Sequence, residues 1–313
     1  MNNFSVLTIS EGAAGMRSQI EGLAKIIGAN YLNFDLEIKP FFRKLPIQLI
    51  PASPFAYKNL SEIKINTNTI IISCGKKSVK ASIYLKKKFK EKIFNIHIQD
   101  PKSQRNKFDL IICPEHDKLD LPNSISTQLA LHNIEFKKDI KKNDTVNFIL
   151  GGKNKYFNFY NETNFKIIDD ILKLSKNYKV NVIPSRRTPS ELINKLIDIK
   201  NKNLFIFKEL FSPKKYGDLL STGSIQIVTW DSISMISESI SSGIGTYVYK
   251  FEEHRAPERY NVFYQNLISR NYIRFFDDNL IPFEVNLDNY NNELKTKILN
   301  KIKSNLRFQK YAS

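Results

Sequence analysis

An α/β fold in two successive halves is predicted by two observations. Short β-type apolar runs alternate with helical patterns along the chain, the order that parallel sheets require. The alternation stops once, at the polar and charged stretch 133–143 (NIEFKKDIKKN), and then restarts. A length of 313 residues suits two domains. The boundaries drawn from this are 1–140, 141–288 and a C-terminal helix at 289–313.

The elements follow in order. Residues 4–9 read as a first strand, and 10–15 as a glycine-bearing loop. Residues 17–28 form a helix whose apolar positions are Ile20, Leu23, Ala24 and Ile27. A buried strand at 69–73 precedes a basic helix at 76–90, and strands follow at 93–98 and 110–113. In the second half, strands are expected at 146–150, 180–183, 204–207, 225–228 and 246–249. Helices are expected at 164–176 and 189–199. Another begins at Ser232, with Ile233, Ile236 and Ile240 on one face, and stops at Ser242-Gly243. The tail, 289–310, is helical and lysine-rich. It suits either a solvated terminal helix or a packed one.

Composition excludes several classes. A hydrophobic fraction of 42% with 12% aromatics argues for packed cores and against disorder. The net charge of +17 comes mostly from Lys. Phosphate-reading surfaces lean on Arg forks, and Arg is scarce, so the charge is read as solvated lysine faces and nucleic acid is not an expected partner. The two cysteines, Cys74 and Cys113, sit in apolar runs and suit a reducing compartment. The four His residues lack ligand spacing, so no metal is expected. The opening MNNFSVLTIS has neither a basic region nor a long apolar run, and no window is long enough to span a bilayer. The expected location is the cytoplasm, peripheral to the inner face of a membrane through the lysine faces.

Three loops of the second half follow strands: Gly151-Gly152-Lys153, Ser185-Arg186-Arg187-Thr188-Pro189 and Trp230-Asp231-Ser232. Ligands of open α/β sheets bind beyond the carboxyl ends of the strands. Paired glycines allow a backbone to approach a ligand. Two guanidinium groups and two hydroxyls beside Pro189 offer phosphate chemistry. The helix start at Asp231, Ser232 and Ser234 favours an anion, and Glu238, two turns on, would accept from ribose hydroxyls. Together the three loops favour a nucleotide site, although each alone also reads as an ordinary turn or surface pair. In the first half, Glu11, Gly12 and Gly15 lie between strand and helix, with Arg17 and Gln19 on the first helical turns. The spacing is not a dinucleotide fingerprint. Glu11 and His116, the latter in the run 114–117 (PEHD), are the carboxylate and imidazole placed for acid/base work.

Several motifs in this order resemble the mitochondrial-fission "elongated mitochondria" family. They are S-E-G-x-x-G-x-x-x-Q at 10–19, His97-Ile98-Gln99-Asp100-Pro101, Phe108-Asp109-Leu110 with 114–117, Leu131-His132, Leu150-Gly151-Gly152, 185–189, and D-S-x-S-M-x-S-E at 231–238. The match spans roughly residues 4–270. Met16 departs from the polar residue common in relatives, and Ile244-Gly245 from a basic residue followed by proline. The resemblance implies a GT-B-like build, with two Rossmann-like domains facing across a cleft and the C-terminal helix packing back on the first. Tyr290, Leu294 and Ile298 would supply that helix's apolar face. It further implies that Asp231, Ser232 and Ser234 line a nucleotide diphosphate, that Glu238 takes the ribose, and that the acceptor lies against the first domain. The expected activity is glycosyl transfer from a nucleotide sugar to a cell-envelope acceptor, with no metal or other cofactor. Arg186 and Arg187 would stabilise the leaving diphosphate. The alternatives are a non-catalytic scaffold that recruits a partner at a membrane, or epimerisation or hydrolysis of the same donors.

Overall fold

The computed structural model describes residues 4–137, 144–208, 212–253, 256–277 and 279–305. The chain divides into two compact units, Met1–Asn133 with Asp288–Ser313, and Ile134–Leu287. Each carries its own six-stranded parallel sheet. The junction expected near residue 140 falls within 138–143, outside the described residues.

In the first unit the strands are β1 (Ser5–Ser10), β2 (Tyr31–Asp35), β3 (Thr69–Cys74), β4 (Ile93–Ile98), β5 (Leu110–Pro114) and β6 (Ser124–Thr127). Their order is β2-β1-β3-β4-β5-β6, and every neighbouring pair is parallel. The central strands β3 (TIIISC) and β4 (IFNIHI) are buried at every position, the pattern of a parallel sheet covered on both faces. Helix α1 (Ala14–Ile27) lays Ile20, Leu23, Ala24 and Ile27 on that core. It starts three residues before the expected Arg17. Its N-cap, Ala13, makes no side-chain cap bond, so the sequence carries no start signal there. A single turn, α2 (Pro40–Arg43), lies between β2 and β3, and α3 (Ser78–Phe89) joins β3 to β4.

In the second unit the strands are β7 (Thr145–Leu150), β8 (Lys179–Pro184), β9 (Leu204–Ile206), β10 (Ile225–Thr229), β11 (Thr246–Tyr249) and β12 (Ile273–Phe275). The order is β12-β11-β10-β7-β8-β9, again parallel throughout. This is the doubly wound Rossmann order. The chain runs outward from β7 on one side, returns, and runs outward from β10 on the other. The order therefore reverses between β7 and β10, the switch point beyond which ligands of open α/β sheets bind. The connecting helices are α4 (Asn161–Leu174), α5 (Ser190–Asp198), α6 (Pro213–Leu220), α7 (Ile233–Ser241) and α8 (Glu258–Ser269).

The last helix, α9 (Asp288–Lys303), returns to the first unit. Its Leu294, Ile298 and Ile302 are buried in the same cluster as Ile20, Ile70 and Phe94. The Tyr290 hydroxyl accepts the Gln128 N–H at 3.0 Å, at the end of β6. The packed reading of the tail is therefore the observed one over Asp288–Lys303, and residues 306–310 lie outside the described set. Edge strands β2, β6 and β12 and helices α6 and α8 lack a sequence expectation. The edge strands are short and partly exposed, and carry little apolar signal.

Candidate functional site

The three loops singled out in the second half follow β7, β8 and β10, which are adjacent in the sheet. They meet on one carboxylate. Asp231, one residue beyond Trp230 at the end of β10, is 1% exposed. Its Oδ2 accepts the Gly152 N–H at 3.0 Å and the Arg187 Nη2 at 3.1 Å, while its Oδ1 accepts the Thr229 hydroxyl at 2.7 Å. Thr229 Oγ1 in turn accepts the Gly151 N–H at 2.7 Å. Arg187 Nη1 donates to the Gly152 carbonyl at 2.9 Å. Burial, the largest effect, holds the Asp231 carboxyl above the ordinary carboxylate range. The Gly152 N–H, the Thr229 hydroxyl and the Arg187 charge pull the other way.

This geometry reassigns several residues. The glycines are small because the protein itself fills the space. A Cβ on Gly151 would lie 1.9 Å from Asp231 Oδ1, and one on Gly152 would lie 1.9 Å from the Arg187 carbonyl oxygen. Asp231 and Arg187, expected to face a diphosphate, are joined to each other. Ser185 and Thr188 are also used locally. Thr188 Oγ1 accepts the Ser185 N–H at 2.8 Å and lies 2.9 Å from the Leu150 carbonyl, and Ser185 Oγ accepts the Arg187 N–H at 3.2 Å. Arg186 differs from Arg187 in having no hydrogen bond or ion pair among the described residues, and it is exposed.

Helix α7 starts as expected. Ser232 is the N-cap, and its Oγ accepts the Met235 N–H at 3.4 Å. The first-turn N–H groups of Ile233 and Ser234 have no acceptor among the described residues. Ile236 and Ile240 are buried, but Ile233 is only partly so. Ser237 and Ser239 complete the buried face, Ser239 lying 2.9 Å from the Thr246 hydroxyl. Glu238, expected to take a ribose, is recessed and only partly exposed, with no hydrogen bond or ion pair among the described residues. Burial pushes its carboxyl from 4.5 up to about 8. Its charge, after burial, is the second cause raising the neighbouring Tyr216 phenol.

In the first unit the strand order reverses between β1 and β3. Glu11 sits at that point, exposed, and accepts the Lys77 N–H from the loop after β3 at 3.1 Å. Gly12 lies beside Asp35 and Gly15 is already helical. Arg17 pairs with Asp35 at the end of β2. Gln19 Oε1 accepts from Gln99 Nε2 at 3.3 Å. His116 is 7% exposed on a turn after β5, three strands from β1. At the spacing of parallel strands, β1 and β5 lie about 14 Å apart. His97, buried with Nδ1 2.8 Å from the Ser73 hydroxyl, is pushed down to about 3 by burial and stays neutral.

Two further residues build the second-unit junction without having been singled out. Thr229 bridges Gly151 to Asp231. Asn154 Nδ2 donates to the Asp231 carbonyl at 3.0 Å, while its Oδ1 accepts the N–H groups of Tyr156 and Phe157. The available signal was an Asx turn closing the Gly-Gly loop.

Two Rossmann-type sheets in one chain, with the last helix returned to the first, define the GT-B class of α/β proteins. The glycosyltransferase SnogD from Streptomyces nogalater shares the fold. Its TM-score is 0.51 at 9% identity, over 97% of this chain and 96% of that one. Residues 14–301 match the family described as Mitochondrial fission ELM1, and the chain belongs to that family. Protein RP120 from Rickettsia prowazekii (strain Madrid E) is 28% identical over 338 residues, covering 90% of this chain and 92% of that protein. Mitochondrial fission protein ELM1 from Arabidopsis thaliana is 25% identical over 219 residues, covering 57% of this chain and 51% of that protein. Among the described residues, no helix is long and apolar enough to cross a membrane.

Proposed function

We propose that the second unit binds a nucleotide sugar at the carboxyl ends of β7, β8 and β10, and that the chain transfers the glycosyl group to an acceptor of the cell envelope. The observation that carries this reading is the Gly152–Arg187–Asp231 junction. It fixes three adjacent loops at the point where the sheet order reverses, and beside it three groups lack a bonded partner among the described residues: the exposed Arg186 guanidinium, the first-turn N–H groups of α7, and the recessed Glu238 carboxyl. The first two suit a diphosphate. Glu238 suits hydroxyls, which donate to a carboxylate and also bond a neutral carboxyl.

In the reaction an acceptor hydroxyl attacks the anomeric carbon. The bond from that carbon to the diphosphate oxygen breaks, the nucleoside diphosphate leaves with the electron pair, and a base takes the hydroxyl proton. Glu11, exposed at the reversal point of the first unit, is the proposed base, and His116 is less suited because it is buried. Arg186 and the α7 N-terminus offset charge on the leaving group.

The test is a thermal-shift and calorimetry screen of the full chain with nucleoside diphosphates and nucleotide sugars. Ligand at about 100 times its dissociation constant adds roughly 2.7 kcal/mol. Product analysis then separates transfer from epimerisation or hydrolysis. A chain that binds no nucleotide at saturating concentrations overturns the reading. The scaffold reading, favoured by membership of a family described by mitochondrial fission, then takes its place.

A further inference from the structure

Between β2 and β3 the first unit makes an excursion whose residues divide sharply in two. Phe42, Ile50, Ala56 and Tyr57 turn inward and join a core cluster with Ile9 and Ile71. Phe41, Leu49 and Phe55 turn outward, with 73%, 65% and 68% of their surface in water. Exposed large apolar residues scattered singly need no account, but these three share one short segment. The two rings are also held in place. Phe41 packs edge-on against Phe42 at 5.1 Å, and Phe55 packs edge-on against the same ring at 5.6 Å. The backbone beneath is fixed by the Lys39 N–H donating to the Ala56 carbonyl at 3.0 Å and by an antiparallel bridge between Ile38 and Tyr57. Four prolines in 38–57 stiffen it further.

The same segment is charged on one side only. Residues 38–57 contain Lys39, Arg43 and Lys44 and no Asp or Glu. Arg43 and Lys44 are exposed, and Lys39 Nζ stands 5.2 Å from the Phe55 ring centroid. The nearest acid in sequence, Glu37, is paired with Lys58 at 3.3 Å. We infer that this face docks on an anionic lipid bilayer, with Phe41, Leu49 and Phe55 entering the boundary between headgroups and acyl chains and Lys39, Arg43 and Lys44 meeting lipid phosphates. Preplaced aromatic tips on a segment that carries only cations, one of them beside a ring, are the chemistry of an interfacial anchor. Charge complementarity selects the lipid surface over a protein groove, since the cores of protein interfaces are depleted in lysine. The inference rests on this segment alone and stands apart from the nucleotide-sugar reading. It replaces the general lysine faces considered from composition with one surface.

The experiment is co-sedimentation of the full chain with vesicles of phosphatidylcholine alone, and with vesicles in which roughly a third of the lipid is phosphatidylglycerol. The chain is expected to pellet with the anionic vesicles and not with the neutral ones. Phe41→Ser with Phe55→Ser, and separately Lys39→Gln with Arg43→Gln and Lys44→Gln, should each weaken partitioning by about tenfold or more. Lys87→Gln with Lys88→Gln, on the basic end of α3, should leave it unchanged. Unchanged thermal midpoints confirm that the variants remain folded. Failure of the unaltered chain to pellet with anionic vesicles overturns the inference and gives the face to a protein partner. Wild-type partitioning by the serine variant, or equal loss in the α3 variant, also overturns it.

Discussion

Arg187 Nη2 and Asp231 Oδ2 meet at 3.1 Å, and the pair is lopsided: the Asp231 side chain is 0% exposed and that of Arg187 is 40% exposed. Removing the arginine therefore strands a buried carboxylate, whereas removing the aspartate returns a guanidinium to water. Breaking a fully buried pair costs about 3–5 kcal/mol, and the exposure of Arg187 discounts this to about 2 kcal/mol for Arg187→Ala. The pH dependence has a definite sign. The folded-state carboxyl of Asp231 is already above its ordinary value, and losing Arg187 raises it further. A raised folded-state value means that stability is lost as pH rises. Urea unfolding at acidic and alkaline pH should show the Arg187→Ala deficit growing with pH.

Arg186 should behave in the opposite way. It is exposed and unpaired among the described residues, so Arg186→Ala should change stability by no more than about 0.5 kcal/mol. Its effect should fall on the ligand, as roughly a tenfold loss of nucleoside diphosphate affinity, about 1.4 kcal/mol. Calorimetry on the two arginine variants side by side checks the division. An Arg186→Ala chain that binds as the wild type removes this residue from the proposed site.

The glycines give a similar contrast. Gly152→Ala places a Cβ 1.9 Å from the Arg187 carbonyl oxygen, which is backbone and cannot swing away. Overpacking of this kind costs about 1–3 kcal/mol. Gly15→Ala, at the start of α1, meets nothing within 4 Å. It should be neutral or stabilise by about 0.5–1 kcal/mol through helix propensity. Thermal midpoints of the two variants should move in opposite directions or, at the least, only the first should fall.

The return of α9 is a stability device for the first unit. Ile298 is 0% exposed among Leu294, Ile302 and the α1 residues of the same core. Ile298→Ala should cost about 2–5 kcal/mol. An exposed neighbour on the same helix, Lys295→Ala, should stay near zero. Denaturant unfolding of both variants gives the comparison.

The sequence shows most where burial is complete. β3, β4, β7 and β10 are buried at every position and mostly apolar because both faces are covered, and that density of Ile, Val and Phe marks them as strands even where Asn95, His97, Asn147 or Gln226 interrupts it. Edge strand β2 was silent because three of the five positions of YLNFD are exposed and none is fully buried. The loops of the site were legible as positions, since each follows a strand. What each side chain does there was not. Asp231 and Arg187 carry the residue types of a phosphate site, yet each satisfies the other. Two residues 44 positions apart give no local sign that they pair. The turn from Ser185 to Thr188 brings the Arg187 guanidinium to the Gly152 carbonyl, whereas Arg186, chemically identical, has no bonded partner among the described residues.

Glu238 carries the last prediction, because it combines burial with the lack of a bonded partner among the described residues. Its carboxyl is raised from 4.5 to about 8 by burial alone. Between those values the folded chain holds a proton that the unfolded chain has released. The contribution of Glu238 to stability is therefore intact below about 4.5 and is lost progressively as pH rises through the folded value. Glu238→Gln removes the charge and keeps the shape. In the absence of ligand the variant should match the wild type near pH 4 and exceed it in thermal midpoint near pH 9, a difference that grows across the titration. With ligand the order should reverse. A carboxylate accepting from two ribose hydroxyls is worth about 1.5–3 kcal/mol as a charged hydrogen bond, so Gln should bind a nucleotide sugar at least about tenfold more weakly. Ligand should also pull the Glu238 titration downward, since hydroxyl donors favour the charged form. Calorimetry in buffers of different ionisation enthalpy would detect the released proton. Equal affinities for Glu and Gln, with no proton release, would remove Glu238 from the ribose and leave it as a buried acid on α7.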